Sequence, residues 1–206
     1  MMNATRSKRI TQPMAKAPAE ATLCTGKHLI RTVDGVLSPT ECGDLIAEGE
    51  ANGFADAPIT TATGFAMRPD VRNNTRYMTD DHALAARLWQ RVAAHVPATI
   101  DGWRALGLNE RFRFYRYDPG QYFRWHFDGC FRRSDREESM LTLMVYLNGN
   151  FVGGTTDFDN RALSEPLSIE PFAGRALIFT HAQLHQGAPL RRGRKYVLRT
   201  DVMYHR

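Results

Sequence analysis

The period of the hydrophobic positions changes once along this chain, near residue 110. Before that point the spacing is helical in two places. Leu84, Leu88, Val92 and Val96 recur every fourth residue, which predicts a helix from about Asp80 with one apolar stripe, ended by Pro97. Asp80 and Asp81 stand where a helix N-terminus favours negative charge. Further upstream, Ser38-Pro39-Thr40-Glu41 has the form of a helix start. Ser38 is placed to cap, Pro39 suits the first helical position, and Glu41 completes a capping box. Leu45 and Ile46 would then face the core, and Asn52-Gly53 marks the stop. His28 to Leu37 predicts a strand, and residues 54–78, rich in Thr, Gly and Pro, read as loop.

From Arg111 onward the runs are short, β-branched or aromatic, and separated by turns. Strands are expected over 111–117, 121–128, 140–148, 154–159, 166–169, 175–180 and 195–204. Pro119-Gly120, Gly153-Gly154, Gly174, Gly187 and Gly193 punctuate them. The Gly153-Gly154 pair reads as a tight turn needing unusual backbone angles rather than a phosphate cradle. Phe131–Ser139 is charged without periodicity and is expected to be a mobile loop. Helices followed by many short strands predict an α+β, mainly β domain, a sandwich or barrel with N-terminal helices flanking one sheet. Residues 1–26, with Pro13, Pro18 and no hydrophobic period, read as a flexible tail ahead of one domain over 27–206, whose motif-bearing β core spans about 111–204.

Composition narrows the function. A chain of 206 residues buries enough surface to fold without disulfide staples. Cys24, Cys42 and Cys130 are odd in number and lack Cys-x-x-Cys spacing, which predicts free thiols in a reducing cytoplasm. No apolar run reaches the length of a membrane span, and residues 1–20 lack the apolar core of a signal peptide. The net charge is +5, but Arg6, Lys8, Arg9 and Lys16 against Glu20 place +3 of it in the tail. The remainder holds no clustered basic stripe, so a nucleic-acid partner is not expected.

The candidate chemistry lies in Tyr117-Asp118-Pro119-Gly120-Gln121-Tyr122-Phe123-Arg124-Trp125-His126-Phe127-Asp128. In an extended chain His126 and Asp128 project to one face, so both reach one cation while Phe127 turns away into packing. His181, His185 and His205 lie downstream as possible third ligands. Two imidazoles and a carboxylate occupy one face of an octahedral ion and leave positions open, which suits Fe(II). Structural zinc prefers four closed ligands, often thiolates, and a zinc hydrolase needs a general base that no motif nominates. A jelly-roll module that only holds a metal is the non-catalytic rival. Asn73, Asn74 and Arg76, ahead of the β region, are either mouth residues or a plain turn.

The block from Phe112 to Tyr204 resembles the catalytic domain of Fe(II)/2-oxoglutarate-dependent dioxygenases, in their prolyl 4-hydroxylase-like branch. The matching pieces are Tyr117-x-x-Gly120-Gln121-x-Phe123-x-x-His126-x-Asp128, then Leu141–Asn148, then Gly153-Gly154-Thr155-Thr156-x-Phe158. His185-x-Gly187-x-Pro189 followed by Gly193-x-Lys195 completes the order. The resemblance implies a double-stranded β-helix (jelly roll) with His126, Asp128 and His185 on Fe(II). It implies 2-oxoglutarate and O2 as cosubstrates, with L-ascorbate (vitamin C) keeping the iron reduced. Lys195, ten residues after His185, would hold the far carboxylate of 2-oxoglutarate. Arg199, on the same strand face, stays a rival for that task, and Tyr117 and Tyr146 would share the cosubstrate. The implied activity is hydroxylation of an unactivated C–H bond, with a prolyl residue of a peptide or protein as substrate. A free amino acid or other small metabolite is the alternative. The oligomeric state is left open.

Overall fold

The structure is a computed structural model that describes residues 22–25, 28–61, 64–159 and 167–206. The described residues begin with β1 (Thr22–Thr25) and β2 (His28–Val33), followed by helix α1 (Pro39–Asn52). Ser38 and Glu41 form the anticipated capping box, each side chain bonded to the other's backbone N–H. Three short strands follow, β3 (Ala55–Asp56), β4 (Ile59–Thr61) and β5 (Gly64–Ala66), then β6 (Thr75–Asp80). Helix α2 (His82–Val92) is N-capped by Asp81, whose carboxylate accepts from the Leu84 N–H at 2.8 Å. Arg91 of α2 ties the helices together, donating to Glu41 at 2.8 Å and to the Val36 carbonyl at 2.8 Å.

The β region comprises β7 (Thr99–Ile100), β8 (Trp103–Leu108), β9 (Arg111–Tyr117), β10 (Phe123–His126), β11 (Arg132–Ser134) and β12 (Glu137–Tyr146). It continues with β13 (Val152–Gly153), β14 (Thr156–Phe158), β15 (Leu167–Ile169), β16 (Ala176–Thr180), β17 (His185–Gly187), β18 (Leu190–Arg192) and β19 (Lys195–His205). The major sheet runs β1-β2-β16-β12-β19-β9-β6-β3, with β8 also on β19. The minor sheet runs β10-β17-β14-β15. Their pairings are antiparallel, and the two sheets make the jelly roll expected from the sequence.

Strand alternation sorts the major sheet into two faces. Phe112, Phe114, Leu141, Leu143, Val145, Ile178, Leu198 and Val202 pack against Cys42, Leu45, Leu84, Leu88 and Val92 of the helices. Tyr115, Tyr117, Tyr146, Leu177, Phe179 and Val197 point the other way, onto Phe158, Ile169 and Leu190. That second face is interrupted by polar side chains at Arg113, Thr142, Lys195, Arg199 and Asp201. The interruption is the site.

Several expectations are corrected. Phe131–Ser139 is not a mobile loop: it holds β11 and the start of β12, and its charges pair across that hairpin (Arg132–Glu138, 3.1 Å; Arg133–Glu137, 2.6 Å). Residues 54–78 are not all loop, because β6 continues the major sheet beyond β9. The helix from Asp80 starts after Asp81, and Asp80 instead ends β6 and pairs with Arg111 at 2.9 Å. It ends at Val92, and a 3-10 turn over Ala93–His95 carries the chain on, leaving Val96 still buried. The strand expected over 121–128 is only β10, so Asp128 lies just beyond its end. Phe127 does not turn into packing but is 62% exposed. Of the flexible tail read over 1–26, residues 22–25 instead form β1, paired with β2, and the rest lies outside the described residues.

Candidate active site

His126 and His185 are direct cross-strand partners, since the β10–β17 ladder places them opposite one another. Asp128 reaches the same point from the end of β10, its N–H held by the His181 carbonyl at 3.3 Å. One ligand atom from each of His126, Asp128 and His185 lies within 4.8 Å of the others. The Nδ1 atoms of His126 and His185 stand 2.7 and 2.9 Å from the carbonyls of Arg124 and Gln183. Each carbonyl calls for a proton on Nδ1, which leaves an Nε2 lone pair facing Asp128. Burial, then the neighbouring His185, pulls the His126 imidazolium down to about 3, and burial lowers His185 as well. Both rings are therefore neutral donors at neutral pH. Phe123 stacks on His126 with centroids 3.5 Å apart, and Phe179 meets the His185 ring edge-on at 4.6 Å.

Asp128 is buried, which alone would raise its carboxyl. The charge of Arg199, together with His185, His126 and the Thr142 hydrogen bond, outweighs that and holds it below the ordinary carboxylate range. Arg199 Nη2 is 3.0 Å from one carboxylate oxygen, and Thr142 Oγ1 donates to the other at 2.6 Å. Arg199 also donates to Asp201 at 3.2 Å, and Arg113 reaches Asp201 at the same distance. Two neutral imidazoles and one ionised carboxylate, each oriented from behind, fit a divalent iron with open positions.

A narrow cavity leads inward from this cluster between Tyr117, Met144, Thr156, Gly187 and Lys195. Lys195 faces Tyr117 across the β9–β19 ladder and is 2% exposed. Its ammonium donates to the Gly154 carbonyl and lies 5.2 Å from the Tyr117 ring and 5.4 Å from the Tyr146 ring. Burial pushes its pKa down to about 7, against the raising effect of Asp157 and Glu170. A buried amine so depressed is a place for an anion, and a dicarboxylate chelating the cluster would supply one. Gly153 and Gly154 have φ of +81° and +71°, the unusual turn expected, and a Cβ on Gly154 would stand 3.2 Å from Lys195 Cδ.

Tyr117 lines the cavity, and burial raises its phenol to about 12, so it stays a proton donor. Tyr146 lies one layer back, donating to Thr156 Oγ1 at 2.7 Å while Thr156 lines the cavity. Arg199 lines the cavity as well, but its contacts commit it to Asp128, Thr142 and Asp201. The sequence reading passed over Thr142, Thr156 and Arg72. Their signal was position alone: Thr142 is two before Met144 on an inward face, and Thr156 follows the glycine pair. Of the downstream histidines, His185 joins the cluster. His181 sits behind it, 3.7 Å from Asp201, and His205 ends β19 exposed.

Comparison with known proteins agrees with this geometry. Residues 112–200 match the family model of the 2OG-Fe(II) oxygenase superfamily. A protein of Acanthamoeba polyphaga mimivirus named "Putative prolyl 4-hydroxylase" is 23% identical over 184 residues, covering 80% of this chain and 70% of its own. The viral collagen prolyl hydroxylase of Paramecium bursaria Chlorella virus-1, solved with 2OG, superposes with a TM-score of 0.60 at 23% identity, over 86% of this chain and 96% of that one. A Trichoplax adhaerens prolyl hydroxylase in complex with a hypoxia inducible factor peptide superposes with a TM-score of 0.64 at 15% identity, over 84% and 82%. At these identities the superpositions establish a shared fold.

Proposed function

We infer that this chain, which over residues 112–200 belongs to the 2OG-Fe(II) oxygenase superfamily, is an Fe(II)- and 2-oxoglutarate-dependent dioxygenase of the prolyl 4-hydroxylase-like kind. The observation that carries the reading is a cluster of three ligand atoms within 4.8 Å that opens into a pocket ending on a buried lysine. When bound there, iron and 2-oxoglutarate supply the oxidation of a C–H bond to C–OH by O2, coupled to conversion of 2-oxoglutarate to succinate and CO2.

The chain's own residues hold, orient and exclude. His126, Asp128 and His185 take the metal. Thr142 and Arg199 fix the Asp128 carboxylate and keep it ionised. Lys195 receives the far carboxylate of 2-oxoglutarate, because among the described residues its charge has no carboxylate in hydrogen-bond contact, whereas that of Arg199 is already engaged. Tyr117 adds a hydroxyl donor, and Tyr146 acts through Thr156. Phe123, Phe158, Phe179 and Met144 keep water from the cluster. L-Ascorbate would serve to keep the iron ferrous. The free thiols of Cys42 and Cys130 suit a reducing cytoplasm.

For the substrate, the names of the relatives favour a prolyl residue in a peptide or protein, and a free amino acid is the second reading. Succinate formation from 2-oxoglutarate tests the class. It should require Fe(II) and disappear in His126→Ala; equal turnover by both proteins would sink the assignment. A peptide and amino-acid panel, read for a mass gain of one oxygen atom, identifies the substrate.

A further inference from the structure

On the outer side of the metal cluster lies a second, wider cavity of about 450 Å³. It shares His126, Asp128 and Arg199 with the narrow one and is bounded by Ile59, Val71, Phe127 and Phe131. Its volume is that of an ordinary small-ligand pocket. Four arginines line it, Arg72, Arg76, Arg113 and Arg199, and Asp128 is the single acid among its lining residues.

Arg113 and Arg199 have carboxylate partners in Asp201 and Asp128. Arg72 and Arg76 have none among the described residues. Arg72 is 4% exposed and is held by stacking: its guanidinium lies 4.5 Å from the Tyr115 centroid and 4.6 Å from that of Phe123. Its Nε donates to Asn74 at 2.7 Å, while its Nη2 is buried with no hydrogen-bond partner among the described residues. Arg76 is opposite Tyr115 in the β6–β9 ladder, half-buried at the same wall. Burial, and the charges of Arg72, Arg113 and Arg199, disfavour its guanidinium. Tyr115 shows the same field from the other side, because three arginine charges outweigh its burial and lower its phenol. Two buried-edge cations without counter-ions are costly unless something anionic completes them. The metal would add further positive charge on this side, and the cosubstrate's far carboxylate is assigned to Lys195 in the other cavity.

Resting on the dioxygenase reading, we propose that the oxidised substrate carries a carboxylate, seated by Arg76 and Arg72 in the outer cavity with its target C–H bond toward the metal cluster. Arg76 is the specificity-determining cation, and guanidinium forks match a carboxylate with two parallel hydrogen bonds. A free amino acid and an acidic residue beside a target proline present the same group.

Ligand-observed NMR on protein loaded with Zn(II) and 2-oxoglutarate tests this without turnover. The probes are free L-amino acids with their carboxamides, and a proline–glutamate peptide with its proline–glutamine counterpart. Acids should bind at least tenfold more tightly than the matched amides. Arg76→Gln should erase that preference and Arg76→Lys restore part of it, while Arg87→Gln, which removes a charge from the exposed face of α2, keeps it. Binding of the amino acids alone, or of the acidic peptide alone, identifies the source of the carboxylate. The proposal is overturned if amides bind as well as acids, if no acid binds, or if Arg76→Gln keeps the preference. Loss of 2-oxoglutarate binding in the wild type counts against the dioxygenase reading instead, since the acid-to-amide ratio is measured separately.

Discussion

At the scale of single residues the site depends on which charges are already satisfied. Asp128 is fixed from both oxygens, by Thr142 and Arg199. Lys195 is the reverse case, an ammonium buried against two tyrosine rings with a backbone carbonyl as its partner. Its pKa of about 7 therefore makes cosubstrate binding pH-dependent. A bound carboxylate pairs with the ammonium and raises its pKa, so binding takes up a proton above about pH 7. Affinity for 2-oxoglutarate should be greatest below pH 7 and fall as pH rises through that value, by up to about tenfold per unit. In the free protein the same depression opposes folding at neutral pH. Between about 7 and 10.5 the unfolded chain holds the proton and the folded one does not, so this residue's contribution to stability improves as pH rises there. Lys195→Met should weaken 2-oxoglutarate by about 3 kcal/mol and flatten the pH profile, as read by calorimetry. Unchanged affinity would return the task to Arg199. The metal-binding pair was legible because His126 and Asp128 stand two apart beside a recognisable motif. Thr142 and Thr156 were not, because a threonine on a strand is equally at home in a core or a site.

At the scale of elements the legible parts were those whose period reports packing. Helix α1 announced itself by its capping box and helix α2 by its stripe, and strands β9 and β16 by their aliphatic and aromatic runs. Strand β6 did not. Its inward face carries Arg76 and a part-exposed Met78 because it walls a cavity, so its pattern lost the apolar alternation of a core strand. The β11–β12 hairpin was missed for a related reason: charges that read as solvated loop are cross-strand pairs. Two substitutions separate scaffold from site. Ser38→Ala removes a cap far from the cavity and should cost about 1 kcal/mol in unfolding free energy, with 2-oxoglutarate affinity unchanged. Gly154→Ala forces a left-handed residue at about 1–2 kcal/mol and crowds Lys195, so it should lower both stability and affinity. Denaturant unfolding paired with calorimetry distinguishes them. Loss of affinity in Ser38→Ala, or none in Gly154→Ala, would contradict this division.

At the scale of the whole molecule, one sheet does two jobs through strand alternation. Its outer face packs the helices, and its inner face, closed over by the minor sheet, carries the charged groups. The separation explains how a core can hold Lys195, Arg199, Asp128 and Asp201 and still fold: the first three sit at a shared cavity, Asp201 pairs with Arg199 and Arg113, and the aliphatic mass lies behind them. The jelly roll was readable from the count and spacing of short strands. The closeness of residues 126 and 185 was not readable from spacing, because it depends on the β10–β17 register. Metal affinity therefore tests the account most directly. Anaerobic equilibrium dialysis should find one Fe(II) per wild-type chain, and Asp128→Ala and His185→Ala should each weaken it a hundredfold or more. Full, wild-type iron binding in both variants would contradict it.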